Sequence, residues 1–239
     1  MKQSPLDLNT FSITARDPDS GMFGISISTK VPAVGAITSF ARAGVGAIAT
    51  QARTNPLLAI DGLELLDDGY GAEETLRRLL DSDYEPERRQ LAIVDRLGGV
   101  SAHTGAETDS WRGHRIGPDY AVAGNLLAGE AVIDAMAAAF ESSADCDFPE
   151  RLVRTLEAGQ SAGGDRRGRQ SAALYVVKTE PYPYLDLRVD EHADPVAELR
   201  RVYEVAKVEL LPFIEALPTR RRPEADMGDE VRGTLLPEG

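Results

Sequence analysis

The chain has 239 residues, of which 42% are hydrophobic, so it is long enough to bury a substantial core within one large domain. Its 39 acidic residues outnumber its 26 basic ones, and the resulting formal net charge of −13 repels nucleic-acid phosphates and anionic membrane surfaces. No uncharged run approaches the length of a membrane span and the first residues carry no signal-peptide pattern, so we expect a cytoplasmic protein that binds neither nucleic acid nor membranes.

The first part of the chain has the alternation of β-strands. Apolar residues alternate with polar ones over residues 10–30, interrupted at residues 17–21, where Pro18 pre-sets φ and Gly21 accepts a positive φ. This pattern predicts a β-hairpin. A third strand is predicted over residues 45–51.

The middle of the chain combines helical and strand patterns. The spacing of apolar residues predicts helices over residues 57–66 and 72–80. Two short β-rich runs, residues 91–94 and 100–103, flank a glycine turn and predict a second hairpin. A further short strand is predicted over residues 120–123.

Two more helices and two more strands follow. Apolar spacing predicts helices over residues 130–141 and 149–158, the second ending at Gly159 as its C-cap. Alternating patterns then predict strands over residues 171–177 and 184–189.

A final helix and a polar tail complete the chain. Asp194 is a candidate N-cap for a helix that begins at Pro195 and runs to about residue 212. Residues 218–239 have no apolar period and cannot offset their ordering entropy, so a disordered tail is predicted. We therefore divide the chain into an extension of residues 1–9, one domain of residues 10–217 and this tail. Because strands and helices occur in groups, the domain is expected to be a layered α+β sandwich.

Several sequence motifs occur in register along the predicted domain. They are the strand and turn of residues 10–18, Thr54-Asn55-Pro56, His103-Thr104-Gly105, Gly124-Asn125, the loop of residues 162–174 and Asp194-Pro195. In these motifs the chain resembles the DUF1028 family, over residues 10–211. The resemblance implies the fold of N-terminal-nucleophile (Ntn) hydrolases, a four-layer αββα sandwich with two antiparallel sheets between layers of helices.

The resemblance also implies that Thr10, the first residue of the first strand, is the nucleophile. A threonine hydroxyl is a weak nucleophile, but a free α-amine with a pKa of about 8 accepts its proton without a separate histidine. In this sequence nine residues precede Thr10, so its nitrogen is an amide. Either the Asn9–Thr10 bond is cleaved, or the true start lies downstream of Met1, or the chain is not catalytic and Thr10 only begins an edge strand.

Four polar residues at strand ends or in loops are candidates to support Thr10 or to contact a substrate: Lys30, Asn55, His103 and Asn125. Lys30 resembles the lysine near the nucleophile of proteasome-like enzymes, where an ammonium lowers the pKa of a hydroxyl; otherwise it is a solvated lysine. The two amides and the imidazole are suitable donors for an oxyanion hole. Alternatively they cap turns or helices, as Asn55 would before a proline.

The loop of residues 163–171 combines glycines, Asp165, three arginines and Ser171 directly before a predicted strand. Its position resembles the aspartate and serine loop that supports the nucleophile in proteasome-like enzymes. This resemblance implies that Asp165 and Ser171 hold the terminal amine, and that Arg166 or Arg169 pairs with Asp165 or with a substrate carboxylate. The alternative is a structural Asp–Arg pair that locks a glycine-rich loop.

These features favour an amide hydrolase that acts on a small amide or peptide-like substrate by acyl transfer to Thr10. The alternative is a non-catalytic module that keeps the scaffold to bind a small molecule or to assemble, and a metal-dependent hydrolase using His103 is a third interpretation. The three histidines are far apart and no phosphate loop or dinucleotide motif occurs, so we expect no metal and no cofactor. Related folds assemble through their outer helices, so a homo-oligomer is expected.

Overall fold

The computed structural model describes residues 7–224. Its strands are β1 (Asp7–Leu8), β2 (Thr10–Arg16), β3 (Phe23–Thr29), β4 (Ser39–Arg42), β5 (Gly46–Arg53), β6 (Arg89–Asp95), β7 (Val100–Thr104), β8 (Gly113–Gly117), β9 (Tyr120–Gly124), β10 (Ser171–Val177) and β11 (Leu185–Val189). Its α-helices are α1 (Gly35–Thr38), α2 (Pro56–Asp67), α3 (Ala72–Ser82), α4 (Ala131–Ser142), α5 (Phe148–Ser161), α6 (Pro195–Glu209) and α7 (Leu211–Ala216). A short 3-10 helix covers Pro86–Arg88.

The strands form two antiparallel sheets. In the first, sheet A, the order is β1-β5-β6-β7, and β4 also pairs with β5. In the second, sheet B, the order is β11-β10-β3-β2-β9-β8. The strand β2 therefore lies inside sheet B, between β3 and β9. The alternative in which Thr10 begins an edge strand is wrong.

The two sheets stack face to face and helices cover their outer faces. The helices α2 and α3 pack on sheet A through leucines such as Leu63 and Leu79, while α4, α5 and α6 pack on sheet B through residues such as Met136 and Leu152. The core between the sheets consists of Phe23, Ile25, Ala47, Ala49, Val94 and Val177. The prediction of a four-layer αββα sandwich is confirmed.

Strand alternation determines which side chains lie between the sheets. In β6, Leu91 and Ile93 pack towards the helices, whereas Val94 faces the other sheet. Because successive side chains point to opposite faces, Gln90 also lies between the sheets. The same rule sets Gln51 of β5 on that inner face. Polar side chains are thereby buried at one end of the inter-sheet core.

Most of the predicted elements are confirmed, including both hairpins. The helix α5 continues through Gly159, so this glycine is not a C-cap; a Cβ there would lie 2.7 Å from Cγ of Met136, which shows that the glycine permits close packing of α4 on α5. Asp194 precedes α6 but makes no side-chain cap; it pairs with Arg169 instead. The sequence patterns missed the short elements β1, β4, β8, α1 and α7.

Both predicted terminal segments contact the domain where the structure describes them. The strand β1 belongs to the predicted extension and pairs with β5 in sheet A. At the start of the predicted tail, the carbonyl of Pro218 accepts a hydrogen bond from Tyr182 at 3.0 Å. Residues 1–6 and 225–239, the remainder of both predictions, lie outside the described residues. Between residues 7 and 224 no helix combines the length and apolar character that crossing a membrane requires.

Candidate active site

The chain crosses from sheet A to sheet B at Asn9, the residue between β1 and β2. Thr10 then begins β2, is wholly buried and pairs with Thr29 of β3. The Thr10 hydroxyl donates a hydrogen bond to the carbonyl oxygen of Leu8 at 2.7 Å. The Asn9–Thr10 peptide bond, which must break to free a Thr10 amine, thus lies inside the protein.

Two side chains donate hydrogen bonds to the carbonyl oxygen of Asn9. The hydroxyl of Thr29 donates from 2.5 Å, and Nη2 of Arg167 donates from 2.9 Å. A hydroxyl and a guanidinium directed at one carbonyl oxygen withdraw electron density from it and would stabilise negative charge there. The carbonyl that precedes Thr10 is therefore polarised by two side-chain donors.

The arginine of this pair is held by Asp165, whose side chain is only 1% exposed. Nη2 of Arg167 lies 2.7 Å from one carboxylate oxygen, and its backbone N–H donates to the other at 2.8 Å. The backbone N–H of Lys30 also donates to Asp165, at 3.1 Å. Gly163 and Gly168 adopt φ of 120° and 118°, which lets the loop turn tightly around this carboxylate. We call residues 163–171 the charged loop.

A network of neutral side chains joins the two sheets on the other side of Thr10. Ser12 donates to Gln51 at 2.8 Å, and Gln51 donates to Oε1 of Gln90 at 2.6 Å. Asn125 donates to the same Oε1 at 2.9 Å, while Nε2 of Gln90 donates to the carbonyl of Gly124 at 2.9 Å. We call Ser12, Gln51, Gln90 and Asn125 the amide network. These hydrogen bonds link buried polar groups in a core where an unpaired polar group is costly, although Oδ1 of Asn125 has no partner among the described residues.

The amide network reaches Thr10 at one end and the surface at the other. The backbone N–H of Asn125 donates to the Thr10 carbonyl at 3.0 Å. At the other end, Nε2 of Gln90 also donates to Oγ1 of Thr104 at 2.9 Å. This oxygen lies 2.8 Å from Nδ1 of His114. Desolvation lowers the pKa of His114, and the charge of neighbouring His103 lowers it further. A hydrogen bond thus connects the network to the His114 ring.

A small cavity of about 30 Å³ lies beside the Asn9 side chain, which is 1% exposed. We call it the Asn9 cavity. Nδ2 of Asn9 is buried and has no hydrogen-bond partner among the described residues. The larger surface pocket, of about 640 Å³, is lined by residues such as Asp147 and Lys207 and by none of the residues predicted to form the site. The buried polar groups around Thr10 and this open pocket are thus in different places.

The structure gathers five of the eight residues predicted from sequence: Thr10, Lys30, Asn125, Asp165 and Ser171. Ser171 pairs with Thr29, the partner of Thr10, but its hydroxyl donates to the carbonyl of Val31 at 2.5 Å. Its predicted contact with a terminal amine stays a prediction. Lys30 contributes its backbone, because its ammonium donates to a carbonyl of the charged loop, that of Arg169, at 3.1 Å.

The other three predicted residues make contacts of their own. Asn55 accepts a hydrogen bond from the N–H of Leu57 at 3.2 Å, which caps α2, as its alternative interpretation stated. Nε2 of His103 lies 2.9 Å from the carbonyl of Pro86. Arg169 pairs with Asp194 at 2.9 Å. Among the residues of the described part, no group of three or more His, Cys, Asp or Glu is placed to hold a metal ion.

Arg166 or Arg169 was predicted to pair with Asp165 or with a substrate carboxylate. Arg167 makes the pair with Asp165 instead, and the substrate contact stays a prediction. The spacing contained the signal: an aspartate side chain commonly accepts from the backbone N–H two residues later, as Asp165 does here, and this turn brings that residue's side chain back to the carboxylate. Thr29 and Gln90 were also missed. The position of Thr29 opposite Thr10 follows from the register of the hairpin. The position of Gln90 near the site depends on how the two sheets stack.

The fold and this site together define an αββα sandwich with a buried threonine at the start of a central strand. The chain belongs to the DUF1028 family, described as a family of unknown function, whose model matches residues 10–199. It is similar to protein SPO2555 from Silicibacter pomeroyi, whose crystal structure is also assigned to DUF1028, with 30% identity over 91% of this chain and 98% of that chain and a TM-score of 0.83.

A more distant solved structure is Anbu, the ancestral beta-subunit, from Yersinia bercovieri. It has 11% identity over 87% of this chain and 98% of that chain. The TM-score is 0.37, at which the similarity supports no structural argument. No curated protein matches the chain in sequence.

Proposed function

We propose that this protein is an amide hydrolase whose nucleophile, Thr10, is released by cleavage of its own Asn9–Thr10 bond. The observation that carries the proposal is the pair of donors, Thr29 and Arg167, on the carbonyl oxygen of Asn9. In acyl transfer that oxygen is the atom on which negative charge develops. The resemblance to Ntn hydrolases supports the same assignment of Thr10.

Self-cleavage would proceed by an acyl shift from nitrogen to oxygen. Oγ1 of Thr10 adds to the carbonyl carbon of Asn9, and the two donors stabilise the resulting oxyanion. The C–N bond then breaks, the hydroxyl proton passes to the Thr10 nitrogen, and an ester links the two residues. Water hydrolyses the ester, which leaves a carboxylate on Asn9 and a free amine and hydroxyl on Thr10.

The same groups would then act on a substrate. The free amine takes the hydroxyl proton as Oγ1 attacks the substrate carbonyl, and it returns the proton to the departing amine. The substrate carbonyl oxygen would take the position that the Asn9 oxygen holds between Thr29 and Arg167. Water completes the turnover by hydrolysing the acyl ester on Thr10.

One observation favours the non-catalytic alternative. The Thr10 hydroxyl donates to the carbonyl of Leu8, which is not a base, and β1 is paired within sheet A. A chain that kept this arrangement would bind or assemble without a free amine, and the Asp165–Arg167 pair would only lock the charged loop.

The test is hydrolysis of a panel of acyl-anilide substrates by the purified protein and by two Thr10 variants. Thr10→Ala removes the nucleophile and is expected to abolish turnover, whereas Thr10→Ser keeps a hydroxyl and retains measurable activity. Equal melting temperatures would show that the variants are folded. Turnover that survives in Thr10→Ala would assign the activity to another residue and overturn the proposal.

A further inference from the structure

The residues just before Thr10 lie in an extended groove. The strand β1 pairs antiparallel with β5, with Asp7 opposite Arg53 and Leu8 opposite Ala52. The chain then runs directly into Asn9 and the bond to Thr10. Backbone pairing of an extended segment against a sheet strand is a general way to bind peptides, because it needs no particular side chain.

The Asn9 side chain enters a polar recess at the end of that groove. The recess is the Asn9 cavity, and its polar walls are Arg53, Arg88, Glu107, Thr108 and Asp109. Its volume of about 30 Å³ has room for a water molecule beside the amide, since about 10–15 Å³ is enough for one. The amide nitrogen of Asn9 has no partner among the described residues. A buried donor without a described partner, on a residue that lines a polar cavity, favours a polar side chain at this position.

The charges around the recess favour a neutral amide. Among the wall residues, Asp109 carries a carboxylate, which accepts hydrogen bonds and suits an amide NH₂ donor. Arg53 is paired with Glu85 at 3.1 Å and Arg88 with Glu107 at 2.9 Å, so the charges of these residues are already compensated. A carboxylate in place of the amide would face the like charge of Asp109, and a large apolar side chain would desolvate that carboxylate.

The backbone around the recess is held in an uncommon conformation. Ala52, in its wall, has φ of 64°, and Leu126 has φ of 50°. Both values lie in the left-handed region that non-glycine residues rarely adopt. The N–H of Leu126 donates to the carbonyl of Asp109, another wall residue, at 2.9 Å. Such strained positions concentrate at functional sites.

We infer that β1 and Asn9 occupy the acyl-substrate groove, and that the mature enzyme takes extended peptide-like amides with an asparagine or glutamine side chain directly before the bond that is cleaved. This inference rests on the proposed function, because the groove opens only when the Asn9–Thr10 bond has been cut. Glutamine is included because its side chain ends in the same carboxamide group.

The first experiment compares three substrates on the protein purified from expression of the full chain. They are acetyl-Leu-Asn, acetyl-Leu-Asp and acetyl-Leu-Leu aminocoumarin amides, in which the asparagine and aspartate compounds differ only in the terminal group of one side chain. We expect kcat/KM for the asparagine compound to exceed the other two by at least about 10-fold, the size of discrimination that buried polar contacts provide. Equal values would overturn the inferred specificity and leave the hydrolase assignment intact.

The second experiment makes the same comparison within the chain, with Asn9→Gln, Asn9→Asp and Asn9→Leu. We expect Asn9→Gln to cleave itself within a few-fold of the unaltered chain and the other two to be slowed at least about 10-fold, at melting temperatures that show folded protein. Equal rates for all three would contradict the inference. A chain that never cleaves and never hydrolyses a substrate would overturn the hydrolase proposal, and the inference with it, because the groove would stay filled.

Discussion

The two sides of Thr10 are built from different chemistry. On one side, the charged loop directs Arg167, which Asp165 holds in place, at the carbonyl oxygen of Asn9, the residue that precedes the threonine. On the other side, the amide network holds the carbonyl of Thr10 itself through neutral donors and acceptors. Charge is placed where an oxyanion would form, and neutral amides are placed where the backbone only has to be fixed.

This difference leads to separate expectations for the two sides. Changes in the charged loop are expected to alter the rate of cleavage more than a matched change elsewhere. Changes in the amide network are expected to alter the stability of the stacked sheets more than the rate. The following predictions test that separation, from the largest expected effect to the smallest.

Arg167→Ala is expected to slow self-cleavage by about 10²–10³-fold, because loss of one oxyanion-hole donor typically costs that much. The rate is read by mass spectrometry of the chain over time. Arg169→Ala is the matched control, since that arginine pairs with Asp194 at the surface and is expected to leave the rate unchanged. Equal slowing in both variants would mean that the rate depends on the net positive charge of the loop and not on the hydrogen bond from Arg167 to the Asn9 carbonyl.

Gln90→Leu is expected to lower the free energy of unfolding by about 3 kcal/mol, because its buried partners Gln51, Asn125 and Gly124 lose hydrogen bonds without gaining water. Folded protein is expected to cleave within a few-fold of the normal rate. Urea unfolding and the cleavage assay measure the two quantities. A large loss of rate at unchanged stability would reverse the roles assigned to the two sides.

Thr29→Val is expected to slow cleavage by about 10-fold, less than the arginine change, because a neutral donor is roughly half as strong as a charged one. Thr14→Val is a matched control on the neighbouring strand: its hydroxyl is also buried but has no partner among the described residues. That variant is expected to keep the normal rate and to lose no stability. Similar rates for both valine variants would remove Thr29 from the oxyanion site.

His114 is expected to give a small pH dependence on the amide-network side. Its pKa is lowered in the folded protein, so below about pH 6.5 the unfolded chain binds a proton that the folded chain does not. The free energy of unfolding therefore falls as the pH drops below 6.5, and this loss ends below the lowered pKa. Unfolding curves between pH 7.5 and 5.5 measure it, and His114→Gln should flatten the dependence. An unchanged slope in that variant would assign the effect to other groups.

The layers of the fold were predictable because they depend on local periodicity. Alternation over residues 10–30 is sufficient to identify the hairpin, and apolar spacing identifies the main helices. The strand β1 has only two residues, too few for any period to be visible, and it forms because β5 offers an unpaired edge. Gly159 was misjudged because its packing against Met136 is a contact between two helices and leaves no local pattern.

The site was predictable only in part, for a related reason. Thr10 and Asp165 follow from motifs, and the structure brings both to one place. The role of Arg167 depends on the turn of the glycine-rich loop, which brings this side chain to Asp165. The contacts of Gln90 depend on the stacking of the two sheets, which brings it within hydrogen-bond distance of Asn125, 35 positions away. Side chains whose role is set by such long-range packing are not marked in the sequence.

The most direct test is the intact mass and N-terminal sequence of the full chain after expression and incubation, with Thr10→Ala treated in parallel. We expect the unaltered chain to begin at Thr10 and the variant to keep the residues before it. A chain that retains the Asn9–Thr10 bond after prolonged incubation would have no free amine. That result would contradict self-cleavage and would favour the non-catalytic scaffold.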